Sequence, residues 1–225
     1  DLYAWGAQFE TNPFATSYIP TTSAAASRQA DYCSTWLPHN YLRYSRDLTQ
    51  GAATAGDAAT TNDITKWIRR GSPLTAARNA AVADGTSTGT TVTLVASTDS
   101  IYQIVTLDRR PSTVSCSFVV AIRSAASPPT SIILRLKTSA TGSATYNDYS
   151  TTLASTTITL ADIPNTTSTR TYIVQGTPGA TAASVMCEIL GSSGTGDFVI
   201  EAAALQIDPS QGLGAIGPIL LTDSA

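Results

Sequence analysis

Ile132-Ile133-Leu134-Arg135-Leu136-Lys137 sets Ile132, Leu134 and Leu136 on one side of an extended chain and Arg135 and Lys137 on the other. A period of two is the mark of a pleated strand, whose successive side chains point to opposite faces. Ile101-Tyr102-Gln103-Ile104-Val105-Thr106-Leu107-Asp108 alternates less cleanly. A sandwich of two sheets accommodates both stretches, because each strand then buries one face and shows the other to water.

Strand signals of this kind recur along the chain. They predict strands at Leu2–Phe9, Tyr41–Arg46, Ile64–Arg69, Thr91–Ala96, Ile101–Asp108, Val114–Ser124, Ser131–Thr138, Thr157–Leu160, Thr171–Gln175, Ser184–Leu190 and Phe198–Gln206. Turn-rich clusters separate them, among them Ser127-Pro128-Pro129-Thr130, Ala140-Thr141-Gly142-Ser143 and Gly191-Ser192-Ser193-Gly194-Thr195-Gly196. Many short strands at fairly even spacing predict an all-β sandwich. Ala76–Ala83 has helical propensity but only two turns and no amphipathic stripe, so a loop or irregular strand is expected there.

Composition agrees. Of the 225 residues, 42% are hydrophobic and only 13% charged, about half the usual ~25%. Polarity comes instead from Ser and Thr, as in Thr151-Thr152-Leu153-Ala154-Ser155-Thr156-Thr157, which suits half-buried pleated surfaces and argues against disorder. The net charge of −3, with Lys66 and Lys137 the only lysines, argues against a phosphate-binding surface, so no nucleic-acid partner is expected. No stretch approaches the ~18 apolar residues of a membrane helix, so a soluble protein without membrane insertion is expected. Cys33, Cys116 and Cys187 are far apart, and the latter two sit in strand-like runs where they read as small buried hydrophobes. The chain starts at Asp1 with neither an initiator Met nor an apolar signal segment, which reads as a fragment or a processed product.

The chain also repeats itself. Asp1 to Pro13 aligns without gaps on Asp197 to Pro209, and Thr21-Thr22-Ser23-Ala24 aligns on Thr222-Asp223-Ser224-Ala225 after a short insertion. This divides the chain into 1–36, the last strand and linker of a preceding module or an extended N-terminal arm; 37–209, a complete module; and 210–225, a glycine-rich tail. Two ordinary strands of one sandwich are the simpler alternative.

Trp5-Gly6-Ala7-Gln8-Phe9-Glu10, then Phe14-Ala15-Thr16-Ser17-Tyr18-Ile19-Pro20-Thr21-Thr22, then Arg28 and Ala30-Asp31, resembles the exit segment of a module common in bacteriophage tail fibres, tailspikes and other virion proteins. Asn40-Tyr41-Leu42-Arg43-Tyr44-Ser45, Trp67 and Asp84-Gly85-Thr86 resemble the start of the same module. The anchors span the chain but are dense only in its first third. The resemblance implies a jelly-roll β-sandwich, carbohydrate-binding-like, in a virion appendage that is usually trimeric. Tyr41, Tyr44 and Trp67 occupy family positions and are expected to fill the core. The C-terminal copy departs from the pattern, with Glu201-Ala202-Ala203-Ala204 and Gly212-Leu213-Gly214-Ala215-Ile216-Gly217-Pro218 in place of its two motif runs.

Catalytic machinery is sparse. His39 is the only histidine, and Glu10, Glu188 and Glu201 are the only glutamates; no nucleophile elbow, phosphate loop or zinc-protease motif occurs. The chain is therefore read as a non-enzyme without a cofactor or metal. Asp47, Asp197 and Glu201 are nominal calcium candidates that no local carboxylate cluster supports. Sugar binding calls for an aromatic platform beside amides or carboxylates, because a pyranose has an apolar C–H face and a hydroxyl edge. Tyr146-Asn147-Asp148-Tyr149 is the best local match. Its alternative is a hairpin turn centred on Asn147-Asp148, with the tyrosines as a cross-strand pair.

Together these readings predict a virion fibre or spike component, made in the host cytoplasm, that displays a weak glycan-binding surface for host attachment. A purely structural virion module is the alternative, and a glycan depolymerase the remote one. Contacts with like subunits of a trimer, or with other virion proteins, are expected through Trp5, Phe14, Tyr18, Ile19 and Pro20 of the arm and Ile219, Leu220 and Leu221 of the tail.

Overall fold

The computed structural model describes residues 40–49, 63–71, 75–81, 89–107, 115–163 and 169–208. The predicted Leu2–Phe9 strand, both sets of subunit-contact residues, Cys33, Trp36 and His39 lie outside them.

Among the described residues, ten strands form two five-stranded antiparallel sheets. In chain order they are β1 (Ile68–Arg70), β2 (Thr75–Ala80), β3 (Gly89–Leu94), β4 (Ser100–Thr106), β5 (Ser115–Ser124), β6 (Ser131–Ser139), β7 (Thr151–Thr159), β8 (Arg170–Gly176), β9 (Ser184–Ser193) and β10 (Gly196–Asp208). One sheet runs β1-β4-β9-β6-β7 and the other β2-β3-β10-β5-β8. The all-β jelly-roll sandwich is thus the observed fold, and the segment around Ala76 is an irregular strand whose register shifts between Arg78 and Ala80.

The alternation of the opening stretch sets the core. Ile132, Leu134 and Leu136 face Phe118, Val120 and Ile122 of β5 and Phe198, Ile200 and Leu205 of β10 across the sandwich. Cys116 and Cys187, from opposite sheets, belong to the same cluster as free thiols. β4 looked mixed because it is buried on both faces: Ile101 and Val105 join this core, while Tyr102 and Ile104 join a second cluster on the outside of their sheet.

The predicted strand at Tyr41–Arg46 is instead a run of bends. Tyr44 has φ of +52°, which no strand residue adopts. The run is nonetheless fastened to β10: Asn40 Nδ2 donates to the Ala203 carbonyl at 3.2 Å, Asn40 Oδ1 accepts from Leu205 N at 3.1 Å, and Ala203 N donates to the Ser45 carbonyl at 2.8 Å. A side-chain amide here does what a strand's backbone would otherwise do. Trp67 is buried and closes the loop by donating from Nε1 to the Tyr44 carbonyl at 3.1 Å.

The β9–β10 connection carries the chain from one sheet to the other. It turns at Gly194 (φ +76°) and Gly196 (φ +134°), and a Cβ on Gly196 would collide with the Ser127 carbonyl oxygen. Only glycine fits that close approach.

Candidate functional site

The β6–β7 connection folds back over the outer face of its own sheet, and this decides what its residues can do. Tyr146–Asp148 form a single 3-10 turn closed by Asp148 N to the Thr145 carbonyl at 3.2 Å and Tyr149 N to the Tyr146 carbonyl at 3.1 Å. Both tyrosines point inward. Tyr146 packs with Ile68, Tyr102, Ile104, Tyr149 and Met186, its ring 5.3 Å from that of Tyr102.

Beneath Tyr146 lies a compact charge network. Glu188 on β9 is fully buried and opposes Arg135 on β6 in the ladder. Arg135 donates to Glu188 Oε2 from Nε at 3.0 Å and from Nη2 at 2.6 Å, and the Tyr146 hydroxyl donates to Oε1 at 2.7 Å. Arg135 Nη2 also donates to the Tyr146 oxygen at 3.1 Å. Two further cations lie against the Tyr146 ring, Arg70 at 4.3 Å and Lys137 at 4.4 Å from its centroid, distances at which the ring's negative face attracts a cation. Burial, then the neighbouring Glu188 charge, raises the Tyr146 phenol well above its ordinary range.

Tyr149 is sealed in alongside. Its hydroxyl donates to the Ser143 carbonyl at 2.8 Å and lies 2.7 Å from Ser184 Oγ. Burial pushes its pKa up to about 12; the Ser184 bond opposes this and the Asp148 charge adds to it. A phenol whose folded pKa exceeds its unfolded value of ~10 stabilises the fold fully below pH ~10 and loses that contribution as the pH rises towards 12. Urea midpoints measured across this range are expected to fall. Tyr149→Phe should be less stable than wild type at pH ~9, by a margin that narrows towards pH ~12.

These facts correct the expected sugar platform. Neither tyrosine face is free to stack on a pyranose, and the two are not a cross-strand pair. The rings serve instead to cover the outer face of a sheet that alternation alone assigns to water. Arg135 and Lys137 are therefore mostly buried rather than solvated.

Anchoring the tyrosines leaves Asn147 and Asp148 exposed at the tip of the turn. They line a groove of about 520 Å³ with Thr138, Ser139, Thr141, Ser150, Thr151 and Thr181. Hydroxyls, one amide and one carboxylate make a surface suited to hydrogen-bonding a polyol. Asp148 is the single carboxylate among the groove's described lining residues, so no pair of carboxylates flanks it.

Among the described residues, no group of three or more His, Cys, Asp or Glu is placed to hold a metal. Of the nominal calcium candidates, Asp47 accepts from Thr49 N at 3.1 Å and from the Thr49 hydroxyl through Oδ1, and meets Arg78 Nη1 at 3.4 Å through Oδ2.

A second correction concerns the expected core aromatics. Trp67 is fully buried and Tyr44 partly so, but Tyr41 is 37% exposed. It borders a smaller cleft of about 160 Å³ with Arg43, Ile64, Thr65 and Gln103–Thr106 of β4. Sequence reasoning missed this site because Tyr41 had been placed in a strand.

The sequence matches no protein-family model and no curated protein. Solved structures do resemble the fold. A candidate sugar binding protein from Bacteroides thetaiotaomicron VPI-5482 superposes with a TM-score of 0.53 at 9% identity, covering 76% of this chain and 100% of its own. The CBM22-1 and GH10 modules of Clostridium thermocellum endo-1,4-beta-D-xylanase 10B, complexed with xylohexaose, give 0.48 at 10% identity over 78% of this chain and 30% of theirs. The enzymatically active domain of bacteriophage CBA120 tailspike protein 4 gives 0.44 at 12% identity over 71% of this chain and 22% of its own. Only the first superposes above 0.5, and at 9% identity it speaks for the two-sheet β-sandwich fold alone.

Proposed function

We propose that this carbohydrate-binding-type sandwich is a non-catalytic module of a phage fibre or spike, and that it holds a host-surface glycan in the Asn147–Asp148 groove. The observation that carries the reading is the turn itself. Two buried tyrosines fix the backbone on either side of an exposed amide and carboxylate, so the polar pair is presented to ligand without first being ordered. The virion setting rests on the resemblance of Trp5–Thr22 and the Asn40–Ser45 run to fibre and spike modules. Trimeric display follows from that resemblance.

A shallow groove with no stacking ring among its described lining residues is expected to bind one sugar weakly, with Kd of ~1 mM or ~4 kcal/mol. Display on three subunits and many copies raises avidity by ~10²–10⁴ without further contacts. Asp148→Ala removes a charged acceptor from the exposed tip, and binding should weaken by tenfold or more while thermal stability changes by less than ~0.5 kcal/mol. A glycan array followed by titration of the strongest hit checks both. Undiminished binding by the variant would sink the groove assignment.

That no aromatic lies among the groove's described lining residues favours a second reading, a structural spacer within the appendage. On that reading no glycan binds in the array, and the Asn147–Asp148 tip contacts a neighbouring subunit in the assembled particle.

A further inference from the structure

The cleft beside Tyr41 is built, not incidental. β1 pairs only with Ser100–Tyr102 of β4, so no strand among the described residues pairs with Gln103–Thr106 on that side. Gln103 bridges the opening instead. Its Oε1 accepts from Arg43 N at 2.9 Å, and its Nε2 donates to the Arg43 and Thr65 carbonyls, each at 3.3 Å. One buried amide thus fixes both banks of the cleft. Tyr41 is held from behind by its own N–H, which donates to the Leu205 carbonyl at 2.9 Å.

The lining joins two chemistries that are absent from the described lining of the Asn147–Asp148 groove. Tyr41 brings an aromatic side chain and Arg43 a guanidinium, both residues being exposed, alongside the apolar Ile64, Ile104 and Val105. No carboxylate lies among the described lining residues. An exposed ring takes the C–H face of a sugar, and a guanidinium takes a carboxylate through paired N–H donors. A space of about 160 Å³ is far below the ~300–1,000 Å³ of a pocket that engulfs a whole ligand, and matches one sugar unit.

We infer that the Tyr41–Arg43 cleft is a second saccharide subsite, one that selects a carboxylated sugar such as a uronate. It deepens the glycan-binding reading by naming a ligand class, and it stands on residues separate from the Asn147–Asp148 groove. Specificity for acidic glycans then comes from Arg43, in a chain whose overall charge of −3 repels them elsewhere.

The test is NMR titration of the full 225-residue chain with D-galacturonate, and in parallel with neutral methyl galactoside, to ~50 mM each, a range that registers Kd values of order 1–10 mM. Galacturonate should shift the Tyr41 and Arg43 signals at least tenfold more strongly than the neutral sugar, and Arg43→Gln should abolish that preference. Arg43 makes its Gln103 bonds through the backbone, so the variant keeps the cleft. Tyr41→Ala should weaken both sugars there. Equal shifts by the two sugars, no shift at Tyr41 and Arg43, or an unchanged preference in Arg43→Gln would each overturn the inference. Shifts at Asn147 and Asp148 report the other site: their absence while the cleft responds counts against the groove alone, and the converse counts against the cleft alone.

Discussion

Glu188→Ala is expected to destabilise the sandwich by roughly 3–5 kcal/mol, among the largest losses available to a single substitution here. Glu188 is fully buried, and removing it leaves Arg135 without its anion and the Tyr146 hydroxyl without its acceptor. The penalty belongs to the orphaned partners, not to the ion pair as such. The triple variant Arg135→Met/Glu188→Leu/Tyr146→Phe, which also removes the stranded hydroxyl, should therefore recover most of the loss, since a well-packed apolar group often equals or exceeds a buried ionic one. Urea unfolding of the two variants checks the argument. If both lose the same stability, the network matters for its attraction and not for the cost of breaking it.

Trp67→Ala is the second large effect, at about 3–5 kcal/mol from the cavity left by a buried indole. Trp67→Phe separates packing from hydrogen bonding. It keeps most of the ring but not the donor to the Tyr44 carbonyl, and should cost about 1–2 kcal/mol. The Tyr44 carbonyl lies in the run that carries Tyr41 and Arg43, so the phenylalanine variant should also loosen the cleft. Faster amide exchange at Tyr41–Ser45 than in wild type is the expected signature, and unchanged exchange would show that the β10 contacts alone hold this run.

How far these features could be read beforehand depends on where the information resides. Ile132, Leu134 and Leu136 announced their face because alternation is local, and the other strands from β3 onward follow from similar runs, except that only the end of β7 (Thr151–Thr159) is legible, at Thr157–Leu160, because its start has few large apolar residues. Tyr41–Arg46 looked equally strand-like, but its path is set by the Asn40 side chain reaching β10, more than 160 residues away in sequence, and by the backbone turn at Tyr44. No local pattern encodes either. The candidate turn is visible in sequence as Tyr146-Asn147-Asp148-Tyr149, and the structure exposes only Asn147 and Asp148 of the four. Its tyrosines were misplaced because burial of an aromatic depends on whether something lies beneath it. Here Glu188 and Met186, from a strand some forty residues later, receive the ring. Lys137 and Arg135 misled in the same way, since charge at alternate positions ordinarily means water.

The position of β9 and β10 in the strand orders bears on how the chain reaches this state. Each is the central strand of its sheet, yet among the described residues they are the last two strands in sequence. During synthesis β3 and β5 on one side, and β4 and β6 on the other, emerge with their inner edges open and their apolar faces bare, and each pair waits for a partner not yet made. Closure is then a late, long-range event that completes both sheets together, with the slow kinetics of high contact order. A nascent chain halted before Ser184 would present four unsatisfied sheet edges to its neighbours, and in a crowded cell those edges invite strand exchange between copies.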